Sequence, residues 1–417
     1  MSRNAGATFS VCLVSPVTWV SGVHAGHPYG VHNLPYGAVS YGDSPRLVVR
    51  IGDLALDLAA ACERLLPELA PFVSGPVLNP LLAEPAATWR RLRVAVRGWL
   101  TDDSLRPVVE PLLRPIGRTH LPFAVGDYVD FYASEHHASA IGRIFRPDSP
   151  ALPEAWKHLP IGYHGRAGTV VVSGTPIARP HGQRRVGSAI EVGPSLRLDI
   201  EAEVGFVLGA GTRLGEPVAL ADAAEHIFGV CLVNDWSARD LQAFEYVPLG
   251  PFLGKSFATS VSPWLVPLDA FENARTPPPA RDLALASYLD DAALPPWGLD
   301  IALEVELNGS VVSRPPFPAM YWTAAQMLAH LTVNGATIRP GDLFASGTVS
   351  GPEPDQAGSL MELSQVGRTP IELPGGVTRS FLEDGDEVVI RGRVPAAPGR
   401  PELGLGEVTG VVVVTPR

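Results

Sequence analysis

Glycine and proline recur along the whole of this chain, 42 of each in 417 residues. Together they make up about a fifth of it, against roughly 12% in an average protein. Proline removes a backbone donor and glycine weakens helices, so few stretches can sustain a long one. Because the two are spread evenly and not gathered into one tract, the chain reads as turn-rich β structure and not as disorder. A hydrophobic content of 46% with only 18% charged residues is enough for a large core. Helical bundles are set aside, and no fixed-period repeat points to a solenoid. The expected class is mostly β (α+β), with the length allowing two or three domains.

Patterning along the chain refines this. Residues 47–58 alternate like a short hairpin, and 59–70 and 86–100 carry helical periodicity. Strand texture follows at 170–174, 195–209, 227–235, 299–312, 386–394 and 407–416, interrupted by two helical stretches, 236–246 and 323–334. Segment 267–300, rich in Pro and Ala, reads as a surface excursion. The Pro/Gly-marked stretch 114–122 suggests a boundary, giving an unplaced extension 1–16, a small domain 17–117 and a large β-rich domain 118–417.

A formal net charge of −11 argues against nucleic acid or an anionic membrane surface as partner. Cys12, Cys62 and Cys231 form no C-x-x-C pair and no disulfide framework, which suits a reducing compartment. Residues 9–20 are apolar, but Ser, Pro and Thr interrupt them and no small-residue cleavage pattern follows. A cytoplasmic protein with no membrane span is expected.

Familiar nucleotide motifs fail on spacing. GPFLGKS (250–256) has three residues between its glycines where a phosphate loop has four, and GAGTRLG (209–215) runs into Glu216-Pro217 instead of a helix. What survives is a set of acids. In a strand through 196–206, alternation puts Leu196, Leu198, Ile200, Ala202, Val204 and Phe206 on one face and Asp199, Glu201 and Glu203 on the other. Glu201 and Glu203 would lie about 6.5–7 Å apart at Cα, close enough to converge on one cation. Spacing alone favours the other reading, the solvated polar face of a half-buried strand. The apolar run 227–233 ends at Asn234-Asp235, either a ligand-holding carboxylate or the N-cap of the following helix. On that helix Arg239, Gln242 and Tyr246 share a face, and Lys255 follows in an apolar stretch where an ammonium needs a partner. Residues 126–146 concentrate acids, tyrosines and histidines in what reads as a loop, and 345–363 forms another that returns to a short strand through Glu362.

These segments carry a likeness. HNLPYG (32–37), LPFAVGDYVDFY (121–132), HLPIGYHGRAGTVVVSGTPI (158–177), the 39-residue block 226–264, MYWTAAQMLAHLTVNG (320–335) and RPGDLFASGTVSGPEP (339–354) resemble the fumarylacetoacetate hydrolase family, from about Val17 to the C-terminus. The resemblance implies a homodimeric hydrolase of tyrosine and phenylalanine catabolism that cleaves 4-fumarylacetoacetate, a diketo dicarboxylate, to fumarate and acetoacetate. It also implies an SH3-like β-barrel N-terminal domain and a rolled mixed-β C-terminal domain. The alternative is another diketo- or oxo-acid hydrolase or decarboxylase of the same superfamily.

Position by position, the resemblance implies that Asp130, Glu201, Glu203 and Asp235 hold a divalent metal, that His137 is the catalytic histidine and that Glu362 orients it. Arg239, Gln242 and Lys255 match the catalytic electrophilic residues. Tyr132, Arg146, Tyr163, Tyr246 and Thr348, with Arg239 and Gln242, match substrate-binding positions. A second, smaller cation site would involve Lys255, Ala258 and Thr259, with alanine at 258 where the family pattern has glycine. Glu135-His136 also departs from the expected Arg-Gln, which makes His136 a rival base. An all-carboxylate site selects a hard ion, Ca²⁺ or Mg²⁺.

Overall fold

The computed structural model describes residues 17–42, 44–145 and 148–415. The expected extension 1–16 with Cys12, and Arg146, lie outside the described residues. The architecture is mixed α/β with strands dominant, arranged as one long curled sheet flanked by two smaller ones.

The N-terminal part is a five-stranded antiparallel sheet in the order Leu113–Pro115, Leu54–Asp57, Arg46–Ile51, Tyr36–Ser40, Arg118–His120. The last strand, which the sequence reading assigns to the following domain, pairs with Tyr36–Ser40. Helices form where the helical periodicity lies, Leu58–Leu65 and Ala86–Thr101. The first is capped by Asp57, whose carboxylate accepts from the Ala60 amide, a contribution of about 1 kcal/mol. The second buries Trp89, Leu92, Val96 and Trp99 along one side. Trp89 and Tyr36 each meet Phe228 edge-on at 5.3 Å, which seats this part against the back of the central sheet.

The central sheet runs Gly162–His164, Tyr128–Phe131, Leu343–Ala345, Ala202–Leu208, Ile227–Asp235, Thr259–Val261, Val170–Val172, with Val266–Pro267 also on Ile227–Asp235. It is mixed: Leu343–Ala345 lies parallel to Tyr128–Phe131, and Thr259–Val261 parallel to Val170–Val172. Its inner strands are buried on both faces, which suits their mostly apolar sequence. A second five-stranded sheet, Ser310–Ser313, Ala302–Leu307, Glu387–Val394, Leu403–Val413, Ile177–Ala178, completes the core. Helix Ala324–Thr332 starts at a capping box in which Thr323 and Gln326 satisfy each other's backbone amides. The Pro-rich segment 267–300 is no free excursion, since Phe271, Leu289 and Trp297 anchor it in the core.

Three local expectations change. The strand through 196–206 is broken into Leu198–Asp199 and Ala202–Leu208, and Leu196 is exposed instead of sharing the apolar face. At the break the Glu201 amide donates to the Asn234 side-chain oxygen at 3.2 Å, and the Asp199 carboxylate accepts from Arg239 and the Leu360 amide. Residues 126–146 are a strand, Tyr128–Phe131, and a helix, Glu135–Phe145, not a loop. Glu362 sits on a helical turn, Leu360–Leu363, capped by Ser359, not on a strand.

One glycine holds the sheet and the site together. Gly347 has φ +74, and a Cβ there would lie 2.1 Å from the Phe131 carbonyl oxygen. Gly347→Ala is expected to cost about 3 kcal/mol or more, from strain and backbone displacement combined. Thermal denaturation checks this, and an unchanged Tm would contradict it.

Candidate active site

Sheet register brings the acids together. Asp130 pairs with Tyr163 on one side and Ala345 on the other, and Ala345 faces Gly205 on the strand that carries Glu203. On the next strand Asp235 lies opposite Thr259. Asp130, Glu201 and Glu203 each offer an oxygen within 4.8 Å of the others, and all are buried. The solvated-face alternative is therefore excluded. Asp235 adjoins this trio, with Oδ1 accepting from Thr259 Oγ1 at 2.6 Å and Oδ2 from Lys255 Nζ at 2.7 Å. It is the last residue of its strand, and the helix Arg239–Glu245 begins after Ala238, so Asp235 is not its N-cap.

The chemistry of this donor set fits a hard cation. Both carboxylate oxygens of Glu203 and Oδ1 of Asp130 have no hydrogen-bond partner among the described residues. Leaving buried carboxylate oxygens so costs several kcal/mol unless something pairs with them. Burial, then the charges of Asp130, Glu201 and Asp235, push Glu203 well above the usual carboxylate range. Burial and the charges of Asp235 and Glu201 do the same to Asp130. Burial would raise Glu201 as well, but Lys255 and Arg239 hold it far below. Its Oε2 accepts from Lys255 Nζ at 2.5 Å and its Oε1 meets Arg239 Nη1 at 2.7 Å. Burial by itself would lower Lys255, yet Asp235 and Glu201 keep its ammonium above the ordinary value. An ammonium carries donors and no lone pair, so Lys255 could serve a second cation only through its backbone carbonyl.

His137 lies on the first turn of helix Glu135–Phe145, where its amide donates to Ser134 Oγ at 3.2 Å. Its Nδ1 meets Glu362 Oε2 at 2.7 Å. Ser359 Oγ donates to the same carboxylate at 2.6 Å and Ser350 Oγ at 3.0 Å. Burial would raise Glu362, but its pairing with His137 and these hydroxyl donors hold it below its ordinary value. With Nδ1–H committed to Glu362, Nε2 is left as the acceptor. The Tyr132 ring stands edge-on to the imidazole, centroids 5.4 Å apart. His136, the rival base, is exposed, and Glu135 is tied to Lys157 at 3.3 Å.

A cavity of about 440 Å³ joins these parts, lined by Asp130, Tyr132, His137, Tyr163, Glu201, Arg239, Gln242, Tyr246, Lys255 and Thr348. Apolar walls come from Phe131, Ile141, Phe145, Ile161, Pro248 and Leu249. Arg239 is buried, against the usual solvated fate of such a charge, because Asp199 and Glu201 flank it. Arg239 Nη2 and Thr348 Oγ1 have no hydrogen-bond partner among the described residues. Sequence reading missed Ser134, Ser350 and Ser359, whose roles depend on contacts with His137 and Glu362; only the S-x-x-E pattern at 359–362 hinted at a cap.

Buried carboxylate oxygens without partners, next to a cavity that also takes in His137, make a site that could hold a hard cation beside an imidazole. Comparison with known proteins gives the family. The model described as Fumarylacetoacetase N-terminal matches residues 32–125, and Fumarylacetoacetate (FAA) hydrolase C-terminal matches 128–413. The fumarylacetoacetase of Homo sapiens is 45% identical over 406 residues, covering 92% of this chain and 96% of that one. That of Arabidopsis thaliana is 43% identical over 416 residues, with 93% and 96% covered. The chain belongs to the fumarylacetoacetate hydrolase family. Among solved structures, the fumarylacetoacetate hydrolase of Exiguobacterium antarcticum aligns with TM-score 0.54 at 17% identity, over 92% of this chain and 100% of that one. At that identity the likeness is one of fold. No helix among the described residues is long and apolar enough to cross a membrane.

Proposed function

We propose that this enzyme hydrolyses the carbon–carbon bond of 4-fumarylacetoacetate, yielding fumarate and acetoacetate, the last step of tyrosine and phenylalanine breakdown. The observation that carries the reading is one cavity lined by Asp130 and Glu201 of the acid cluster and by His137, whose other ring nitrogen meets Glu362, in a chain of this family. Breaking such a bond requires a leaving group that bears carbanion charge, and acetoacetate leaves as its enolate.

His137 Nε2 takes the proton of the attacking water, a task worth ~10²–10⁴-fold. Glu362 holds the tautomer and stabilises the imidazolium that forms. Arg239 Nη2, the Gln242 amide and the Lys255 ammonium donate to the oxyanion, where one donor is worth about 2.7–4 kcal/mol. Tyr132, Tyr163, Tyr246 and Thr348 orient the substrate, and the matching sequence position makes Arg146 a further substrate-binding candidate. Asp130, Glu201 and Glu203, with Asp235 beside them, would hold Ca²⁺ or Mg²⁺. When bound, that ion supplies Lewis-acid polarisation of the diketone oxygens. Residues Lys255, Ala258 and Thr259 are the candidates for a smaller second cation.

The ion also balances charge. Without it, Asp130 and Glu203, whose hold on a proton burial strengthens, take up protons in place of the ion, and the site loses the dication that would attract a dicarboxylate. Chelation is therefore expected to raise KM as well as to lower kcat. A fumarate-release assay with Mg²⁺, Ca²⁺ or chelator tests both points. Unchanged KM in chelator would contradict the charge argument, and oxaloacetate decarboxylation in place of fumarate release would move the enzyme to a neighbouring activity.

Three further readings accompany this one. The five-stranded N-terminal sheet is read as an SH3-like barrel, on its meander order and the family pattern. A homodimer follows from the family likeness. A cytoplasmic location rests on cysteine usage, Cys62 and Cys231 being free, buried thiols.

A further inference from the structure

Asp199 shares its sequence neighbourhood with Glu201 and Glu203 but not their task. It is 0% exposed and takes no part in the cation cluster. Its Oδ2 accepts from Arg239 Nε at 2.8 Å and from the Met361 amide at 3.2 Å. Its Oδ1 accepts from the amides of Ile200 and Leu360, both at 2.8 Å. One carboxylate thus binds two separate parts of the site. It fixes the guanidinium on helix Arg239–Glu245, and it takes the first two amides of the turn Leu360–Leu363 that carries Glu362.

With Nε held, the Arg239 fork directs Nη1 to Glu201 and Gln242 and leaves Nη2 over. Without Asp199, a buried Nε–H would lack a partner, and the fork would swing toward Glu201 to form a two-bond pair. At the other end, the turn that presents Glu362 would keep only its Ser359 cap.

We propose that Asp199 is a positioning residue, one that sets the oxyanion donor Arg239 and the His137–Glu362 base in register with each other. The proposal rests on the functional reading above for its effect on rate, but its geometric core does not. In Ca²⁺-loaded enzyme, Asp199→Asn puts an amide donor against either Arg239 Nε–H or the two backbone amides. It is expected to lower kcat by about 10²-fold, the scale of a 1 Å misplacement, with KM within about threefold. Proton NMR should find the His137 Nδ1–H and Arg239 Nε–H resonances both shifted, while the Ca²⁺ titration stays as in the wild type. A role in stability alone would leave the His137 Nδ1–H resonance in place, whereas Arg239 Nε–H, bonded directly to Asp199, shifts in either case. Should Asp199→Asn not fold, Asp199→Glu, which moves the carboxylate by one methylene, carries the same expectation. An unmoved His137 Nδ1–H resonance in the folded variant overturns the proposal, whatever happens to the rate. A wild-type enzyme that releases no fumarate would overturn the functional reading instead, and the resonances would still decide the role of Asp199.

Discussion

Glu203→Gln is expected to abolish cation binding and to reduce kcat/KM by at least about 10³-fold, some 4 kcal/mol of transition-state stabilisation. The reason is specific to this side chain. Glu201 divides its oxygens between Arg239 and Lys255, and Asp235 is held by Lys255 and Thr259. Glu203 alone of the four has two buried oxygens without a partner among the described residues. Its raised affinity for a proton makes glutamine a close mimic of the ion-free state, so the fold should tolerate the change. In chelator the variant should melt at or above the wild-type temperature. In Ca²⁺ only the wild type should gain, by about 2.7 kcal/mol at a hundred times Kd. Calorimetric titration with Ca²⁺ checks the binding, and wild-type affinity in Glu203→Gln would remove this residue from the cation site.

His137→Ala should have an equally large effect on turnover, ~10²–10⁴-fold, with no loss of Ca²⁺ binding. The imidazole touches Glu362, Tyr132 and the cavity, not the unpartnered oxygens of the cluster. His136→Ala, at an exposed position on the same helix, should stay within about twofold of the wild type. Steady-state kinetics on both variants gives a clean comparison. A near-normal rate in His137→Ala beside a collapsed one in His136→Ala would move the general base by one residue and undo the assignment of Glu362.

Much of the scaffold was legible before folding because it depends on short-range pattern. Alternation within 202–208, the apolar run ending at Asp235 and the 3.6-residue periodicity of 86–100 each survive in the structure as a strand or helix. Where local pattern misled, long-range bonding had intervened. Residues 126–146 look irregular because they mix acids, aromatics and histidines. Yet Leu343–Ala345, more than 200 residues away, pairs with Tyr128–Phe131 and makes it a strand. The helix that follows is started by Ser134, a cap with no acidic partner at the expected spacing.

By itself the sequence determined that Glu201 and Glu203 face the same way, that Arg239 and Gln242 share a helix side, and that Lys255 needs a counter-charge. Each of these is a matter of residue spacing or of elementary solvation. Only the tertiary structure decided that the acids are buried and not solvated, that three of them converge while Asp199 turns aside, and that His137 rather than its neighbour meets a carboxylate. The physical reason is the range over which the deciding contacts act. Asp199 to Leu360 spans 161 positions and His137 to Glu362 spans 225, and no local pattern carries information across such distances until the sheet has closed.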